Sequence, residues 1–88
     1  MEKKQEKIDR LYEVILKLKT KEDCAALFED LCTKKEVEKM ADRIDAADLL
    51  IRGMTYSEVI AKTNISSATL SRVSRSIQYG NGYSKFLK

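Results

Sequence analysis

Asn64-Ile65-Ser66-Ser67-Ala68-Thr69-Leu70-Ser71-Arg72 carries the strongest structural signal in this 88-residue chain. One helical turn before it stands an apolar pair, Val59 and Ile60. Asparagine tolerates left-handed backbone angles better than most residues, so Asn64 is expected to end one helix and reverse the chain. Ile65 then pins the turn into a core, and the hydroxyl of Ser66 or Ser67 caps the next helix. Leu70 and Val73 fall on that helix's inner side. Its first turn is small and polar, the composition that lets a helix approach base edges in the DNA major groove. Residues 55–79 therefore predict a helix-turn-helix. Ser67, Ala68, Thr69 and Ser71 are expected to face bases or their bridging waters, with Lys62, Arg72 and Arg75 on the phosphates and Ser66 also counted in the DNA-binding set.

Charge is distributed in keeping with that reading. The net charge is +3, but residues 55–88 hold five basic side chains against one carboxylate, Glu58. Residues 1–32 hold seven basic against eight acidic, and residues 33–54 five of each. The positive excess sits where phosphate binding requires it.

Upstream, helical periodicity runs almost unbroken, with no proline and glycines only at 53, 80 and 82. This predicts an all-α fold. A first helix is expected over about 3–18, its stripe formed by Ile8, Leu11, Tyr12, Ile15 and Leu18. Thr20 caps a second, with Cys24, Leu27, Phe28, Leu31 and Cys32 inward. Thr33-Lys34-Lys35-Glu36 fits a capping box opening a third helix to about Arg52. Val37, Met40, Ala41, Ile44, Ala47 and Ile51 are its expected inner face. Gly53 is the expected left-handed stop. Thr55-Tyr56-Ser57-Glu58 is a second capping box. The reading helix should span about 67–79 and stop at Gly80-Asn81-Gly82. Tyr83, Phe86 and Leu87 then form a short helix packing back on the body. The chain is one domain: 1–54 scaffold and dimerisation helices, 55–79 the helix-turn-helix, 80–88 a C-terminal turn and short helix. So small a chain buries a modest share of its surface, and a second copy is expected to complete the core.

Other chemistries lack their parts. Cys24 and Cys32 on one helix lie about 12 Å apart, too far for a disulfide. They are expected to be small buried residues in a reducing compartment. The chain has no histidine, no evident pair of catalytic carboxylates and no glycine-rich phosphate loop. No catalytic residue, metal site or cofactor is expected, and the protein is not an enzyme. No apolar run reaches the roughly 18 residues a bilayer requires. A cytoplasmic protein without membrane contact is the expectation.

From Leu31 to Leu87 the chain resembles the Trp repressor superfamily, and within it the YerC/YecD-type Trp-repressor-like proteins. The resemblance rests on Leu31-Cys32-Thr33, Arg43, Leu49-Leu50-Ile51-Arg52-Gly53, Ser57-Glu58, Ala68-Thr69-Leu70-Ser71-Arg72 and Ser76-Ile77. It implies a six-helix subunit in an intertwined homodimer, reading a pseudo-palindromic site in double-stranded DNA as a transcriptional regulator, in all expectation a repressor. It also implies a site for a small anionic effector such as an amino acid, at Thr33, Arg43, Thr69, Arg72 and Ser76. Val73 departs from the family's glycine beside the ligand ring, and the link from Gly53 to Glu58 is one residue shorter. An alternative reading is a protein-interaction module that keeps the fold without gripping DNA.

Overall fold

The computed structural model describes residues 3–88, and all regular structure among them is helical. Six helices follow in order: α1 (Lys3–Ile15), α2 (Lys21–Leu31), α3 (Lys34–Ile51), α4 (Tyr56–Lys62), α5 (Ser67–Tyr79) and α6 (Gly82–Leu87). They fall into two compact units, divided after Thr33. No helix among the described residues is long and apolar enough to cross a membrane.

The first unit holds α1 and α2. α1 ends three residues earlier than its apolar stripe suggests. Lys17 and Leu18 donate to Val14 and Ile15, both at 3.0 Å, so the last turn tightens into three-residue pairing. Thr20 caps α2 as expected, its hydroxyl accepting the Asp23 N–H at 3.0 Å, while the Asp23 carboxylate reaches back to the Lys19 N–H at 3.0 Å. The expected burial does not follow. Neither helix buries a side chain fully. Ile8, Leu11, Tyr12, Leu16 and Leu31 all stand exposed. Cys24 is exposed and Cys32 half-buried, against the expectation that both are buried. Cys32 also leaves the helix, adopting extended angles at its C-cap.

The second unit carries α3 to α6 around a core of Ala46, Ala47, Val59, Ile65, Leu70 and Val73. Leu49, Leu50, Met54, Ile77, Tyr83 and Leu87 pack against it. α3 runs 18 residues, about 27 Å, and packs against each of the other three helices. Its inner face differs from the periodic expectation. Ala47 is buried, but Ala41 and Ile44 are exposed, and Ala46 is buried in their place. A pair of alanines carries little hydrophobic signal, yet their small size allows close approach by a neighbouring helix. Gly53 ends α3 at φ +99°, with Met54 N–H on the Leu49 carbonyl (3.1 Å) and Gly53 N–H on Leu50 (3.0 Å). This paired arrangement is the glycine-terminated helix stop that the sequence predicts. At the far end Ser84 Oγ donates to the Ile77 carbonyl at 3.2 Å, tying α6 to α5. Tyr83 and Leu87 pack inward, whereas Phe86 remains 78% exposed, against expectation.

Candidate nucleic-acid interface

The helix-turn-helix is assembled by three hydroxyls. Thr55 opens α4 with a complete capping box: its Oγ1 accepts the Glu58 N–H at 3.2 Å and Glu58 Oε1 accepts the Thr55 N–H at 2.8 Å. The Thr55 backbone N–H, then its hydroxyl, and the nearby Lys62 hold the Glu58 carboxyl below the usual carboxylate range. At the other end, Thr63 Oγ1 donates to the Val59 carbonyl at 2.9 Å and accepts the Ile65 N–H at 3.4 Å. Asn64 does not turn the chain by a left-handed conformation, as expected, since no non-glycine residue among those described has positive φ. The reversal is made instead by Thr63 in extended angles, stabilised by that local hydroxyl bonding. Ser66 then caps α5, accepting the Thr69 N–H at 3.2 Å and donating to Thr69 Oγ1 at 3.0 Å.

Packing sets the rotation of α5. Leu70 and Val73 are 0% and 2% exposed, and Ile65 anchors the turn at 8%. With those residues inside, Ser67, Ala68, Ser71, Arg72 and Arg75 face solvent, as does Lys62 at the end of α4. Thr69 is half-buried. Ser66 is exposed, but capping commits its hydroxyl proton and one lone pair, leaving one acceptor position for a ligand. The resulting surface is short-chained at its tip and cationic along its flanks. It can accept and donate hydrogen bonds over a base edge while its arginines meet phosphate.

Behind α5 lies an open cleft of about 310 Å³ lined by Arg43, Thr69, Arg72, Val73, Ser76 and Tyr83. It brings together four of the five positions that the resemblance implies for an effector, contributed by α3 and α5. Thr33 belongs to the first unit. Arg43 and Arg72 make no ion pair among the described residues, so both guanidiniums are available to an anion. Val73 lines the cleft but spends its branched side chain mostly in the core. Tyr83 was absent from the sequence-derived site, because its spacing with Leu87 speaks only of packing. A second hollow of about 220 Å³ shares Arg43 and Thr69 and adds Lys39, Asp42, Ile65 and Ser66.

The comparisons with known proteins agree with this geometry. The family described as Trp repressor protein matches residues 6–88. YerC, an uncharacterized protein of Bacillus subtilis (strain 168), is 43% identical over 74 residues, covering 84% of this chain and 71% of its own length. Two crystal structures superpose with a TM-score of 0.87 at 38% identity, each over 91% of this chain. One is a candidate Trp repressor from Staphylococcus aureus, 81% of whose length is covered, and the other a TrpR-like protein from Eubacterium eligens, 84% covered. Sequence, helix order and the reading-head geometry thus converge, and the chain belongs to the Trp repressor family.

Proposed function

We propose that this chain binds double-stranded DNA sequence-specifically as a homodimer and acts as a transcriptional repressor, with the Arg43–Arg72 cleft taking a small anionic effector such as an amino acid. The exposed first turn of α5, capped by Ser66 and flanked by Lys62, Arg72 and Arg75, carries the reading. Ser67, Ala68, Thr69 and Ser71 contact base edges directly or through water, a mode for which Trp repressor itself is a type case. Two copies related by a two-fold axis would favour a pseudo-palindromic site. Dimerisation is supported by apolar side chains that the single chain leaves uncovered, among them Ile8, Leu11, Tyr12 and Ile44. In the cleft, paired guanidiniums suit a carboxylate, and the Thr69 and Ser76 hydroxyls add directional partners.

Selection of bound duplexes from a random pool, with and without free amino acids, tests the whole reading. A two-fold symmetric consensus is expected, and its enrichment should change when the effector is present. Replacing Arg75 by alanine should weaken binding to all duplexes alike and reduce the salt slope by about two, one for each half-site of the dimer. Replacing Ala68 by a bulky residue should change which duplex is preferred. Absence of any salt-dependent duplex binding would overturn the proposal in favour of an interaction module.

A further inference from the structure

The reading head carries another hollow, in which Tyr56, Ser74, Gln78 and Tyr79, so far without a role, line a space with Ser71, Arg72 and Arg75. Tyr56, the first residue of α4, faces the body of α5 across an open trough of about 420 Å³, opposite Arg72, Arg75, Gln78 and Tyr79. Ser71 and Ser74 complete its floor. Every polar side chain lining it can donate a hydrogen bond, and none is a carboxylate. The lone acid of residues 55–88, Glu58, is tied into the α4 capping box. Neither Arg72 nor Arg75 has an ion-pair partner among the described residues. A concave surface built of two guanidiniums, two phenols and an amide suits an anion that accepts several hydrogen bonds at once.

Distance along α5 identifies the anion. Arg75 lies eight residues beyond Ser67, about 12 Å along the helix axis. The major groove is only about 8.5 Å deep. With the first turn of α5 at the base edges and its axis directed out of the groove, Arg75 and Gln78 would stand level with the sugar–phosphate wall. We infer that the trough grips a phosphodiester of the duplex backbone, with Tyr56 and Gln78 as contact residues beside Arg75. The inference rests on the DNA-binding reading and extends its footprint to the start of α4 and the second half of α5. Tyr56 thereby ties the orientation of α4 to the docking of α5.

The test uses the full chain and a duplex recovered by selection, with binding followed by fluorescence anisotropy across a salt series. Tyr56→Phe removes one hydroxyl and Gln78→Ala one amide. Each should weaken binding roughly tenfold per half-site, the value of a hydrogen bond to a charged group, on selected and scrambled duplexes alike. Neither should change the salt slope, because both side chains are neutral, whereas Arg75→Ala should lower it by about two, one per half-site. Single methylphosphonate substitutions along the backbone supply the second arm. The wild type should lose affinity wherever a contacted phosphate is neutralised, and at one of those positions per half-site Tyr56→Phe should cause no further loss. Unchanged thermal melting of Tyr56→Phe shows that the fold is intact. If the wild type binds duplex but both variants bind equally well, the trough assignment falls while the DNA-binding reading stands. Effects that stay additive with every methylphosphonate substitution also overturn it. A wild type that binds no duplex overturns both.

Discussion

Truncating Leu70 to alanine tests how the reading head is held. Leu70 is fully buried, with Ala46, Ala47, Val59, Ile65 and Val73 as its fellow core residues. The change removes three carbons. At about 0.8 kcal/mol each, the lost transfer free energy is about 2.4 kcal/mol. Whatever cavity the core fails to close adds to this, so a loss of about 2–5 kcal/mol is expected. At roughly 0.05–0.15 kcal/mol per residue, a chain of this length has about 4–13 kcal/mol in total. One truncation should thus remove a large fraction of the stability. Urea unfolding followed by circular dichroism at fixed protein concentration is the assay, since any dimer makes the midpoint concentration-dependent. With an m value of about 1–3 kcal/mol/M, the midpoint should fall by about 0.7 M or more. Ile60→Ala, at a position 40% exposed, is the control and should fall far less. Equal, small losses from Leu70 and Ile60 would refute the claim that α5 is fixed by burial.

The other predictions concern the helix ends. Gly80→Ala would place a Cβ 2.7 Å from the Ser76 carbonyl oxygen, a backbone atom, so thermal melting should show destabilisation even though Gly80 has an ordinary negative φ. Gly53→Ala meets open space but must hold φ +99°, and a loss of about 1 kcal/mol or more is expected in the same assay. Glu58 has a folded-state pKa below its unfolded value, so the unfolded chain binds more protons on acidification. Its stabilising contribution is present above the ordinary carboxylate pKa and is lost as pH falls through the depressed folded value. Glu58→Gln should flatten that part of the stability–pH curve, and an unchanged acid limb would contradict the capping-box role.

How much was legible before the structure varied with the kind of interaction. The starts of α4 and α5 were within reach because caps are local: Thr55 with Glu58, and Ser66 with Thr69, satisfy amides three residues away. Gly53 was likewise readable, since a helix stop needs only one residue able to adopt positive φ. Asn64 shows the limit of that reasoning. Its propensity for left-handed angles was real, but Thr63 solved the turn with two hydroxyl bonds. Ala46 was invisible for another reason: its burial comes from α3's neighbours in space, not from its own hydrophobicity. Arg72, Arg75, Gln78 and Tyr79 share one face of α5 by helical spacing, but Tyr56 joins them only because α4 and α5 meet at a particular angle.

Local chemistry along the chain therefore settles where α2, α4 and α5 begin, where Gly53 stops α3, which face of α5 points inward, and that small polar residues lead it. Those outcomes depend on partners one turn away, and neighbours in sequence are enough to specify them. The joining of Arg43 with Ser76 and Tyr83, the exposure of Ile44 and the trough under Tyr56 belong to three-dimensional packing. They require side chains from distant segments to arrive at one place, and the crossing of α3, α4, α5 and α6 brings them there.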